Sequence, residues 1–272
     1  MLVLTFVFAG CKSEEATQRR KIMVSIEPLR YFAENLAGPQ WEVSTFVPQG
    51  FSPEEFTPAI SQMVDLSQAC CLFEIGGLGV ETTWLKDATR NRKDLYVCDT
   101  SQGIASDSFD PHTWTTPANA LIICRNITQT LITLDKDNTA HYTTRLKKME
   151  QLIDSTDKAI SSLTEKLPSR AFVIAHPALS SFARQYNLQQ IAIENEGKEP
   201  TPQSIKQLIS QARAEKVKVV FVQQEFSENS ALVIARETGA EVVTINPLSY
   251  HWPEQLLFIA KTLKYGTTKT DS

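Results

Sequence analysis

The chain has 272 residues, 42% of them hydrophobic and 21% charged, with a formal net charge of −4 and a pI near 5.7. This is the ordinary globular range, with enough chain for one large domain or two modest ones around a substantial core. The weakly acidic balance offers no electrostatic basis for nucleic-acid binding, and no nucleic-acid partner is expected.

Residues 1–10 are almost wholly apolar and end in small residues immediately before Cys11. The run is too short for a spanning helix, which needs roughly 20 apolar residues, and reads as the hydrophobic part of a secretory signal. Phe8-Ala9-Gly10-Cys11 has the form of a bacterial lipobox. It predicts a protein lipid-anchored through Cys11 outside the cytoplasm, in the periplasm or on the cell surface, with residues 1–20 as signal and tether. No Lys or Arg precedes the apolar run. Either the true start lies upstream, or the segment is a buried N-terminal strand with an incidental cysteine.

From residue 21 strand-like and helix-like segments alternate. A strand over 21–26, a Pro-started helix over 28–37 and a strand over 41–47 lead into a Pro/Gly loop at 48–58. A helix at 59–67, a strand at 69–75, a helix at 80–88 and a strand at 94–98 follow. Two long helical stretches come next, 117–133 and 136–167. In the second, Leu146, Met149, Ile153, Thr156, Ile160, Leu163 and Leu167 form one apolar stripe, as on a strut lying against a larger body. Strands at 171–175, 188–193, 217–222 and 241–245 then alternate with helices up to residue 186, over 202–215, over 231–238 and over 252–263. This order predicts an α/β protein of two lobes with mostly parallel sheets, 21–133 and 169–272, joined by a long rigid helix at 134–168.

Ligands of open α/β sheets bind beyond the carboxyl ends of the strands, which directs attention to residues just after strands. His176 directly follows the apolar run 171–175, and His112 lies in Asp110-Pro111-His112-Thr113-Trp114 ahead of the Pro117 helix. His251 comes past another strand, whereas His141 falls among polar residues of the long helix and reads as solvated. Cys70, Cys71, Cys98 and Cys124 show no CxxC spacing and sit among apolar neighbours, so they read as packing residues. Gly76-Gly77-Leu78-Gly79 lacks the third spaced glycine of a nucleotide loop and reads as a turn. Glu194, Glu196 and Glu199 read as acidic surface.

Seven motifs in order carry a family resemblance: Val24-Ser25-Ile26-Glu27-Pro28-Leu29, Pro53-Glu54-Glu55-Phe56-Thr57-Pro58, Asp110-Pro111-His112-Thr113-Trp114, Ala175-His176-Pro177-Ala178, Phe221-Val222-Gln223-Gln224-Glu225-Phe226-Ser227, Glu237-Thr238-Gly239-Ala240 and Asn246-Pro247-Leu248. The chain resembles the substrate-binding lipoproteins of zinc and manganese ABC importers. That resemblance implies Rossmann-like lobes, a divalent metal as transported ligand in the cleft between them, a membrane permease as partner, a monomer and no catalysis. Its four metal-binding positions fall on Glu54, His112, His176 and Asn246. Two depart from the family pattern, Glu54 standing for a histidine and Asn246 for an acid, so the set keeps a single carboxylate. An amide oxygen is a poor zinc ligand, and water, Glu55 or His251 are alternatives for the fourth place. A histidine at the third position resembles the zinc members, and imidazole suits zinc better than manganese, so Zn2+ is favoured over Mn2+. Two alternatives stand beside capture of a metal. A degenerate relative would act as an adhesin or bind another ligand, and a zinc hydrolase would use Glu-His-His with an open position, though no HExxH is present.

Overall fold

The computed structural model describes residues 20–105, 110–194 and 200–266. Cys11 and its lipobox, with Glu196 and Glu199, lie outside these residues. Among the described residues, eight strands form two four-stranded parallel sheets. The first contains β1 (Arg20–Val24), β2 (Trp41–Thr45), β3 (Cys71–Glu74) and β4 (Tyr96–Asp99), in the order β2-β1-β3-β4. The second contains β5 (Ala171–Ile174), β6 (Gln189–Ala192), β7 (Val219–Gln223) and β8 (Glu241–Ile245), in the order β6-β5-β7-β8. The two halves thus share one topology, and in each the strand order reverses between the two central strands. The inner parts of those central strands, Ile22–Val24, Cys71–Phe73, Ala171–Ile174 and Val219–Val222, are apolar and buried, because a parallel sheet covered by helices buries both faces. All of β5 and β7 is buried, whereas Tyr96 and Val97 of edge strand β4 are exposed.

Among the described residues the helices are α1 (Glu27–Ala37), α2 (Ile60–Ser67), α3 (Lys86–Thr89), α4 (Pro117–Leu134), α5 (Thr139–Thr164), α6 (Ser180–Gln185), α7 (Pro202–Ala214), α8 (Asn229–Thr238) and α9 (Trp252–Tyr265). Proline in the first turn starts α1, α4, α7 and α9, where its missing N–H costs nothing and its fixed φ favours helix. Thr116 and Thr201 cap α4 and α7 by accepting hydrogen bonds from the amides of Asn119 and Ser204. The expected helix at 80–88 is present as a helical segment over 79–89, with a π-helical turn, Glu81–Leu85, in its middle that runs into α3. The second long stretch begins with a 3-10 turn, Lys136–Asn138, and α5 then buries Met149, Ile153, Thr156 and Ile160, with Leu146, Leu163 and Leu167 partly covered. The predicted stripe is therefore the face that lies against the body.

One apolar core runs through both halves. Phe172, Phe221 and Ile245 of the second sheet belong to the same cluster as Ile22, Phe73 and Leu131, while the other face of that sheet packs separately against α7 and α8. The last helix returns to the first half, where Trp252 meets Phe32 edge-on with ring centroids 5.2 Å apart. No helix among the described residues is long and apolar enough to cross a membrane. Cys70, Cys71, Cys98 and Cys124 are free thiols, Cys71 and Cys124 buried, as packing residues should be.

Candidate metal site

The carboxyl ends of the two sheets converge on one small cavity. Its walls include Pro53 and Glu54 from the loop after β2, His112 and Trp114, His176 after β5, Glu225 and Phe226 after β7, and Pro247 and Leu248 after β8. The cavity holds about 30 Å³. That suits an ion or a water, far below the roughly 300–1,000 Å³ of sites for organic ligands.

The two histidines meet across it, with Nε2 of His112 3.2 Å from Nε2 of His176. Behind each ring stands a carboxylate: Asp110 Oδ1 lies 2.7 Å from Nδ1 of His112, and Glu194 Oε2 lies 3.0 Å from Nδ1 of His176. An ionised carboxylate only accepts, so each Nδ1 donates, and in the neutral ring each Nε2 then keeps its lone pair facing the cavity. Two such lone pairs repel unless a cation lies between them. Nitrogens about 2.0–2.1 Å from one ion stand about 3.3–3.4 Å apart in tetrahedral geometry and about 2.9 Å apart at a right angle. The observed spacing falls inside that span.

Burial and the neighbouring His112 push the pKa of His176 down, against the opposing pull of Glu194 and Glu54, and the net direction is downward. This favours the neutral imidazole that a metal needs. For Asp110, burial pushes upward, but hydrogen bonding from His112, together with the attraction of that ring when it is protonated, outweighs it and holds the carboxyl below its ordinary value. Gln223, only 2% exposed, fixes the backbone at His176 from both sides. Its Oε1 accepts from the His176 amide at 3.2 Å and its Nε2 donates to the His176 carbonyl at 2.6 Å. Phe226 stacks on the His176 ring with centroids 4.8 Å apart and planes 10° apart.

Glu54 is held by the turn at residues 76–79, whose Gly79 amide donates to Glu54 Oε2 at 3.0 Å. Only glycine fits there, since a Cβ on Gly79 would lie 2.7 Å from the Glu54 carbonyl oxygen. The turn is organised from beneath by Glu81, which is 3% exposed and accepts hydrogen bonds from the amides of Ile75, Gly76, Gly77 and Leu78. The amides that a phosphate would need are thereby occupied, in keeping with the reading of this segment as a turn. Trp114 ties the two sheets together: its Nε1 donates to the Pro247 carbonyl at 2.8 Å, and Trp252 Nε1 donates to the Trp114 carbonyl at 2.7 Å.

His112, His176 and Glu54 therefore share one cavity. Asn246, Glu55 and His251 do not line it. The Asn246 Oδ1 accepts from the Leu248 amide at 3.0 Å in a tight turn, Glu55 is exposed, and His251 is an exposed residue at the start of α9 beside Tyr250. Glu194 is not idle surface but the partner of His176. Among the described residues, no three His, Cys, Asp or Glu side chains are already drawn together at metal-binding reach. His141 is exposed as predicted, its Nε2 accepting from Arg145 at 2.8 Å.

A family model described as "Zinc-uptake complex component A periplasmic" matches residues 22–260. The chain belongs to this family. A crystal structure of ZnuA superposes with a TM-score of 0.86 at 34% identity, covering 90% of this chain and 98% of that one. The manganese-binding lipoprotein MntA of Halalkalibacterium halodurans is 26% identical, over 89% of this chain and 85% of its own length. The high-affinity zinc uptake system protein ZnuA of Bacillus subtilis (strain 168) is 23% identical, over 84% of this chain and 78% of its own. The family is thus one of substrate-binding proteins of metal ABC transporters, with manganese and zinc members, and not of enzymes. This sets aside the zinc-hydrolase alternative.

Proposed function

We propose that the protein captures one divalent metal ion outside the cytoplasm, zinc in preference to manganese, and delivers it as a monomer to the membrane permease of an ABC importer. The observation that carries this reading is the pair of imidazole Nε2 atoms 3.2 Å apart, each backed by a carboxylate, at the wall of a cavity sized for an ion. His112, His176 and Glu54 serve as ligands, two nitrogens and an oxygen of the types zinc accepts. The zinc preference rests on the imidazole pair, which suits zinc better than the harder manganese. Residues 21–133 and 169–272 act as two lobes joined by the helical segment 134–168, and Cys11 anchors the chain to the membrane by a lipid.

The test is metal content and thermal unfolding of the full chain with zinc, manganese or no metal, beside His112→Ala and His176→Ala. A ligand at a thousandfold excess over its Kd stabilises the native state by about 4 kcal/mol, on the order of 10 °C for a chain of this size. Zinc is expected to raise the melting temperature by that order, manganese by less, and both substitutions are expected to abolish the effect. Absence of stoichiometric metal and of any shift overturns the reading.

A further inference from the structure

We infer that Glu225, rather than Asn246, supplies the carboxylate that completes the metal site. This rests on the metal-capture reading above. Only the amide oxygen of Asn246 is able to ligate, and that oxygen already accepts the Leu248 amide at 3.0 Å. The segment reaches the cavity through Pro247 and Leu248, not through Asn246. Glu225, in contrast, lines the same cavity as His112, His176 and Glu54. It follows β7 as His176 follows β5, so the two residues flank the point where the strand order of the second sheet reverses, which is where open α/β sheets bind ligands. The next residue, Phe226, is stacked on the His176 ring, which fixes this loop against the site.

The Oε1 atom of Glu225 is buried and has no hydrogen-bond partner among the described residues. A buried carboxylate oxygen without a donor is unfavourable, and a cation in the cavity is the group that compensates it. With Glu225 the set becomes two neutral imidazoles and two carboxylates, whose charge cancels that of a divalent ion. A neutral complex is the arrangement that a poorly solvated cleft tolerates best. Zinc takes carboxylate oxygen at about 2.0–2.2 Å.

The experiment is calorimetric zinc titration of the full chain, with Glu225→Gln and with Gln224→Ala, its exposed neighbour on the same loop. Glu225→Gln, which keeps size and removes charge, is expected to weaken zinc binding at least tenfold, while Gln224→Ala stays within threefold of wild type. Equal affinity of Glu225→Gln and wild type, or equal losses in both variants, overturns the assignment and leaves metal capture standing. A wild-type chain that binds neither zinc nor manganese overturns both. A crystal structure of the zinc-loaded wild type decides independently of any variant's folding: a Glu225 oxygen within about 2.2 Å of the ion supports the assignment, and a fourth ligand from elsewhere overturns it.

Discussion

The histidines of the site act through the residues behind them. Glu194 is separated from His176 by a whole strand, yet it fixes that ring's tautomer and orientation from 3.0 Å. Glu194→Gln keeps the shape but lets the amide offer its N–H₂ to Nδ1, which turns the ring's proton toward the cavity. Zinc affinity is expected to fall about 10- to 100-fold, the usual cost of losing such support, with the apo melting temperature nearly unchanged; titration beside thermal unfolding checks both. At this scale the sequence made the candidate ligands legible and the supports obscure. His112 and His176 stand in motifs that place them after strands, whereas Glu194 and Gln223 reach His176 across 18 and 47 residues of chain. Such contacts exist only once β5, β6 and β7 lie side by side. Asp110 was in view within its motif, but nothing in the spacing announced which nitrogen it would hold.

At the level of elements, nearly every strand and helix was readable, because apolar runs of four or five residues between Pro- or Gly-marked loops have few other uses in a covered parallel sheet. The π-helical turn at Glu81–Leu85 was not readable. It arises where Glu81 bends inward to collect four amides, a demand set by the neighbouring turn and not by any periodicity. The carboxyl ends of β3 and β4 bear a consequence of that arrangement. Burial, then the neighbouring Glu81 and Asp99, raise Glu74 from an ordinary value near 4.5 to about 7. Between those values the folded chain holds more protons than the unfolded one, so this residue's contribution makes stability fall as pH rises from about 4.5 to about 7. A shift of that size corresponds to at most about 3 kcal/mol, discounted to roughly 1–2 kcal/mol because Glu74 is only partly buried. Glu74→Gln is expected to stabilise the protein by that amount at pH 8 and not at all at pH 4, as denaturant unfolding at the two pH values would show. An equal effect at both would mean that Glu74 acts through packing instead.

At the scale of the molecule, the shared core and the indole links limit how far the halves can part. Trp114 joins the loop of His112 to the Pro247 carbonyl, Trp252 joins α9 to Trp114, and α5 lies along the body. Closure on a metal is therefore expected to be local, a matter of side chains and loops and not of a wide hinge. Small-angle scattering with and without zinc should give radii of gyration within about 1 Å of each other, while a larger change would show that these links break. The path of α9 has a further consequence, for the order in which the protein is made. Trp252 and Leu256 belong to the last helix, yet they fill the core that Phe32 and Leu36 begin. A ribosome releases the first sheet long before the residues that seal it. Until its final helix has emerged, the nascent chain lacks the Trp252 and Leu256 side chains that complete this core.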